Sequence, residues 1–221
     1  REVMFQIAER EGFEFDFRQS GILHVYRTKT EFVQAERVNA LLVEGGLDRY
    51  AVGPHEITKI EPSLRGDYFG GFYTPSDSTG DIHKFTNALA GVCEGRGAKI
   101  RYETEVVDIR STAKGVHIGY REEFRSSKDK SIEDDNFDGV VVCAGIQSRS
   151  FAKSLGDRIN IYPVKGYSIT LHLDDEASCQ GAPNVGLLDE TAKIVTSRLG
   201  SDRFRIAGTA EFNGENRDIR A

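Results

Sequence analysis

Tryptophan is absent from the 221 residues, methionine occurs once, and cysteine and proline number only three and five. The cysteines, Cys93, Cys143 and Cys179, are odd in number and far apart. That spacing offers neither a disulfide framework nor a zinc ligand set, and it favours a reducing, cytoplasmic compartment. An excess of cations is missing too: 29 lysines and arginines face 35 aspartates and glutamates, a formal net charge of -6. Without a basic footprint, no nucleic-acid partner is expected. No apolar run approaches the roughly 18 residues that a membrane-spanning helix requires. The chain opens Arg1-Glu2-Val3-Met4-Phe5, without a long apolar stretch and small-residue cleavage site, so no signal peptide is read there. It opens on arginine instead of methionine, and the expectation is of a processed or excised piece.

What is present fits an ordinary folded protein, with 38% hydrophobic and 29% charged residues in a length that suits one large domain or two small ones. Residues 1–10 read as the end of a helix stopped by Gly12. The alternation Phe13-Glu14-Phe15-Asp16-Phe17, broken before Ile22-Leu23-His24-Val25-Tyr26, predicts a β-hairpin. Thr30 is expected to cap a helix over 31–44, whose buried stripe is Phe32, Val33, Ala35, Val38, Leu41 and Leu42. A second helix is expected over 82–94. Strands are expected over 99–101, 104–110, 116–122, 140–144, 161–173, 193–197 and 203–212. Residues 125–138, rich in charge and poor in apolar side chains, read as a solvated hairpin tip. His24, His55, His83, His117 and His172 show no metal spacing and no partner pattern, so all five read as structural and no metal site is expected.

Two segments stand out. Val140-Val141-Val142-Cys143-Ala144-Gly145 has the β-branched run and small-residue ending of a buried parallel strand that stops where a ligand meets the backbone. By itself it reads first as a plain core strand of an α/β layer, as does Thr104 to Ile109, because apolar strands are common. On the functional reading both strand ends face a nucleotide, since open α/β sheets bind ligands beyond the carboxyl ends of their strands. The other segment, Tyr162-Pro163-Val164-Lys165-Gly166-Tyr167-Ser168, is a tight strand entry. Tyr162 and Tyr167 are by default half-buried rings with wet hydroxyls, and Lys165 a surface charge.

These two segments, with Thr79-Gly80-Asp81 and Leu188-Asp189-Glu190-Thr191 at matching places, resemble the D-amino-acid dehydrogenase branch of the FAD-dependent amine and amino-acid oxidoreductases. The likeness implies α+β and α/β architecture, a mixed-sheet substrate-binding domain interleaved with a partial, Rossmann-like FAD-binding layer. The substrate domain would be 1–75 with 156–221, helices lying on one side of its sheet, and 76–155 would be a central slice of the FAD domain. Val106 would offer main-chain groups to the adenine of FAD, and Cys143, Ala144 and Gly145 would run beside its pyrophosphate and ribose. Where better-known amine oxidases have tryptophan two residues after that glycine, this chain has Gln147. Where the dehydrogenases often have tyrosine, it has Ala192.

A substrate carboxylate needs a cation or hydroxyl donors in a dry pocket. The candidates are Tyr167, Arg198, Thr209 and Lys165, which would converge if their strands share one face of a sheet. The reaction implied is oxidation of a D-amino acid by hydride transfer from Cα to the flavin N5, then hydrolysis to a 2-oxo acid and ammonia. The flavin carries that chemistry, so no side-chain base or nucleophile is assigned. Electrons would pass to a quinone or respiratory carrier, with the parent enzyme cytoplasmic or attached peripherally to the inner membrane. Two alternatives stand beside this reading: a glycine- or sarcosine-type oxidase that uses oxygen, and a non-catalytic module of the same fold. The family's Gly-x-Gly-x-x-Gly fingerprint is absent, Gly95-Arg96-Gly97 being the nearest run, as is its closing glycine-rich segment. FAD binding by this chain alone is therefore expected to be weak or nil.

Overall fold

The computed structural model describes residues 2–122 and 131–219. Its strands, in chain order, are β1 (Ile22–Tyr26), β2 (Tyr50–Val52), β3 (Gly70–Thr74), β4 (Thr104–Thr112) and β5 (Gly115–Glu122). They continue with β6 (Glu133–Phe137), β7 (Lys165–His172), β8 (Gly186–Asp189), β9 (Ile194–Leu199) and β10 (Arg203–Glu211). The helices are α1 (Glu2–Glu11), α2 (Lys29–Glu44), α3 (Pro54–Ile60), α4 (Ile82–Gly95), α5 (Ser148–Ser154) and α6 (Glu176–Gly181). Contacts divide the chain into two compact units, Arg1–Arg96 with Lys165–Glu211, and Gly97–Val164 with Phe212–Ala221.

The first unit is a seven-stranded mixed sheet of order β2-β3-β1-β8-β9-β10-β7, antiparallel except where β1 runs parallel to β8. Alternation along β1 explains its two faces. Leu23 and Val25 are fully buried and join Val52, Ile57 of α3, Val185 and Leu187 in one core. His24 and Tyr26 point the other way, where the Tyr26 ring meets Phe32 of α2 and Phe72 of β3. Farther along, Phe204 packs with Leu173 and Ala182 beside α6, on the α3 face. Helices therefore lie on both faces of the sheet, where the sequence suggested one. Gly71 permits the β1–β3 pairing, since a Cβ there would stand 2.6 Å from the His24 carbonyl oxygen.

Several expectations are corrected. Residues 13–17 form no strand: β1 is paired on both edges by β3 and β8, and Phe13, Phe15 and Phe17 pack instead with Ala8 and Phe85. The cap of α2 is Thr28, in a reciprocal capping box with Glu31. No residue of α2 is buried, and Val38 and Leu41 stand 57% and 68% exposed. The helix meets its sheet through Phe32, stacked on Phe72 at 4.9 Å, and of the rest of the stripe Val33, Val38 and Leu41 stay exposed while Ala35 and Leu42 are half-buried. Strand β8, which was not among the strands expected from sequence, is found between β1 and β9.

α4 belongs to the first unit, so residues 76–96 lie there and residues 156–164 and 212–221 lie in the second. The reason is local. Phe85 meets Phe15 edge to face at 5.1 Å, and Asp81, which caps α4, receives a 2.7 Å bond from Arg203 of β10.

The second unit holds an antiparallel sheet of order β4-β5-β6, with a bulge between Val106 and Asp108. Residues 133–137, expected in a solvated tip, pair with β5 as β6, while 123–130 lie outside the described residues. Residues 140–144 are not a buried strand: Val141 is 86% exposed and no described residue pairs with the segment. An apolar run becomes a strand only when neighbours take up its backbone hydrogen bonds.

Candidate functional site

Lys165 and Tyr167 open β7, opposite the end of β10. The Tyr167 hydroxyl donates to Glu211 Oε2 at 2.5 Å, and Lys165 Nζ lies 3.3 Å from Glu211 Oε1. The register slips between Gly208 and Glu211, and Thr209 sits in that irregularity at φ +58°. A β-branched residue in the left-handed region is strained, and such bulges re-aim side chains beside functional sites. Tyr167 and Thr209 border one open cavity of about 570 Å³ with Ser168, Val195 and Ala207.

Arg198 is parted from this group. It is buried in β9 opposite Phe204, on the sheet face that carries α6. Its Nη1 donates to the carbonyls of Cys179 (3.0 Å) and Ala182 (3.3 Å) and to Asn184 Oδ1 (3.1 Å), and its Nη2 to the Ser201 carbonyl (3.2 Å). The guanidinium satisfies carbonyls that the short α6 leaves open at its end. It neither converges with Tyr167 and Thr209 nor points into water.

A second cavity, of about 580 Å³, lies on the α2 face of the same sheet and shares Lys193 with the first. His24 Nδ1 is 3.0 Å from Glu190 Oε1, and Lys193 Nζ is 3.0 Å from Glu190 Oε2. Burial pushes the His24 pKa below its ordinary value despite the opposing bond from Glu190. The ring is thus neutral at physiological pH and meets the carboxylate with a proton on Nδ1. Burial pushes the Glu190 carboxyl up, but the hydrogen bonds of Lys193 and His24 outweigh it and the net shift is downward. Sequence reasoning missed this pair. The available signal was a lone histidine inside an apolar strand together with an acid one residue past another.

In the second unit, Val106, Cys143 and Ala144 line one cavity of about 440 Å³, with Val140, Gln147 and Phe151 around them. Gly145 follows at φ +54° and opens the 3-10 turn Gly145–Gln147, while the Ala144 amide donates to Ser148 Oγ at 3.2 Å. Three of the four residues assigned to the cofactor are thus brought together, and the fourth is next in sequence. Among the described residues β4 has a neighbour on one edge only, so its other edge leaves main-chain donors and acceptors open beside valine side chains. Such a surface suits a flat heteroaromatic ring with hydrogen-bonding edges. No group of three or more His, Cys, Asp or Glu among the described residues is placed to hold a metal.

A family model described as FAD dependent oxidoreductase matches residues 1–221. The chain belongs to the FAD-dependent oxidoreductase family. Relatives in this family include D-amino acid dehydrogenase 3 of Mesorhizobium japonicum, 53% identical over 100% of this chain and 52% of the relative. D-amino acid dehydrogenase of Paramagnetospirillum magneticum is 38% identical over 98% of this chain and 49% of its own. The chain spans about half the length of the curated relatives it matches. The fold is that of the glycine oxidase crystal structure from Geobacillus kaustophilus, with a TM-score of 0.81 at 20% identity, covering 100% of this chain and 55% of that one. The open edge of β4 and the cavity at Val106, Cys143 and Ala144 offer main-chain hydrogen-bonding groups and apolar walls of the kind a flat heteroaromatic group needs.

Proposed function

We propose that this chain is part of a D-amino-acid dehydrogenase, carrying its substrate-facing sheet and a central piece of its FAD-binding portion. The observation that carries the reading is the identity shared, across the whole of this chain, with a protein named D-amino acid dehydrogenase 3. The first unit handles the substrate and the second the nucleotide, which keeps the division expected from sequence with its boundaries moved to those of the units. FAD, when bound, supplies the two-electron acceptor for oxidation of the Cα–N bond to an imine, which water hydrolyses to a 2-oxo acid and ammonia. Tyr167, Lys165 and Thr209 orient the amino acid, the first two held in place by Glu211. Val106, Cys143, Ala144 and Gly145 hold the adenosine end. Arg198 serves this site as a strut, fixing the turn between α6 and β8.

Electrons leave to a quinone or respiratory carrier, and the enzyme is cytoplasmic or peripheral to the inner membrane. No helix among the described residues is long and apolar enough to cross a membrane, which is compatible with peripheral attachment. The fold shared with glycine oxidase supports one rival, an oxidase that reduces oxygen. Full-length protein incubated with D-alanine decides between them. The dehydrogenase reading requires reduction of an added quinone with little oxygen uptake, and rapid oxygen uptake with glycine or sarcosine would favour the rival.

A further inference from the structure

Helix α2 carries an apolar strip left open to solvent. None of its 16 residues is buried, and Val38 and Leu41 are its most exposed aliphatic side chains. Gln34, Val38, Leu41 and Gly45 succeed one another at spacings of four, three and four residues, which aligns them as one stripe along a helix. Half-buried Ala35 and Leu42 border the stripe on the side of the sheet, and exposed Arg37 and Glu44 border it on the side of the solvent. These two charges stand seven residues apart, at the same place in successive heptads. That is about 10 Å along the axis, too far for them to meet each other. The residues three and four positions from Arg37 are Val33, Gln34, Ala40 and Leu41, and those before Glu44 are Ala40 and Leu41. Neither charge therefore finds its opposite on its own helix. Neither forms an ion pair elsewhere among the described residues.

We propose that this strip is the contact between two copies of the chain, their α2 helices paired antiparallel about a two-fold axis that passes between Asn39 and Ala40. In that pairing Val38 lies against the partner's Leu41, and Gln34 against the partner's Gly45, where the absence of a side chain admits close approach. Arg37 meets the partner's Glu44, and the two-fold makes the same pair a second time. The match is specific to this orientation. Parallel helices would set Arg37 beside the partner's Leu42 and leave both charges unmatched. A strip that is apolar at its centre and self-complementary in charge along its edge suits a second copy better than an unrelated protein. One helix face is smaller than the roughly 1,200–2,000 Å² of a stable interface, so the dimer is a reversible one that forms at micromolar concentration.

The test is sedimentation velocity of the full-length protein from about 1 to 100 µM, over which the mass is expected to shift from one chain to two. Arg37→Glu and Glu44→Arg each weaken dimerisation by about tenfold, since two attractive pairs become repulsive. The double variant Arg37→Glu/Glu44→Arg restores it, because the pairs re-form with their signs exchanged. Leu41→Glu abolishes the dimer. All the substitutions fall at exposed positions, and unchanged melting temperatures verify that the variants fold. A dimer that survives Leu41→Glu, or a double variant no tighter than the single ones, overturns the proposal. A protein monomeric at every concentration overturns it as well, and slow labelling of Leu41→Cys by a thiol reagent would then assign the strip to the rest of the longer chain. Each outcome is independent of whether the enzyme oxidises D-amino acids.

Discussion

Glu61 offers the sharpest test of what holds the seven-stranded sheet in register. It is 1% exposed, and its carboxylate closes the gap between the end of α3 and the entry to β8. Oε2 accepts from the amides of Asn184 (2.6 Å) and Val185 (3.1 Å), and Oε1 from the amide (3.1 Å) and hydroxyl (2.7 Å) of Ser63. In Glu61→Gln the remaining oxygen faces the two fixed amides before β8. The new amide group then faces Ser63, whose hydroxyl rotates to accept while its N–H loses a partner. One orphaned amide costs about 1–2 kcal/mol. Glu61→Leu removes all four acceptances and leaves buried amides at both segments, at a cost of roughly 3–5 kcal/mol. Urea unfolding of the 221-residue chain, followed by far-ultraviolet circular dichroism, separates the two. With slopes of about 1–3 kcal/mol/M, the midpoint falls by about 0.5–1.5 M for glutamine and at least twice that for leucine. Equal effects, or shifts within about 0.2 M for both, would refute the assignment of Glu61 as the acceptor that pins β8.

Arg198→Lys is expected to lower the melting temperature, because lysine cannot reach the acceptors that Arg198 joins, while KM for D-alanine in full-length protein changes less than about threefold. A large KM rise with unchanged stability would return Arg198 to the substrate. Asp81 is pushed up by burial but held lower overall by the hydrogen bond from Arg203 and by the amides of Lys84 and His83. A carboxyl whose folded pKa is depressed contributes stability above its unfolded pKa and loses it as pH falls through the folded value, so that share is lost below about pH 4. Asp81→Asn, which can still cap α4, should flatten the acid limb of the melting-temperature profile, and an unchanged limb would contradict this. Tyr167→Phe is expected to lower kcat/KM for D-alanine about tenfold with little change in stability, measured by steady-state kinetics and thermal unfolding.

Much of the architecture was legible because local chemistry and tertiary packing agree there. Helix α4 announces itself through Asp81 ahead of an apolar 3.6-residue pattern, and β9 and β10 through short β-branched runs with a turn between them. The errors fall where partners decide. Phe13 to Phe17 has strand alternation, yet α1 and α4 take the phenylalanines before any strand can. Val140 to Ala144 has strand composition but no paired neighbour among the described residues. Val106, Cys143 and Ala144, grouped from the sequence, do meet in one cavity, although residues 140–144 pair with no described neighbour. Of the residues expected at the substrate, Tyr167 and Thr209 border one cavity and Arg198 does not. Spacing along β9 gives the parity of Arg198 but not which sheet face meets α6, and no local pattern joins His24 to Glu190, 166 residues away.

The most direct test is anaerobic mixing of the full-length, FAD-loaded protein with D-alanine and with L-alanine, followed by flavin absorbance. Bleaching by the D-enantiomer alone, reversed by an added quinone, is the predicted result. No bleaching by any D-amino acid, or equal bleaching by both enantiomers, would contradict the proposal that this sheet serves a D-amino-acid dehydrogenase.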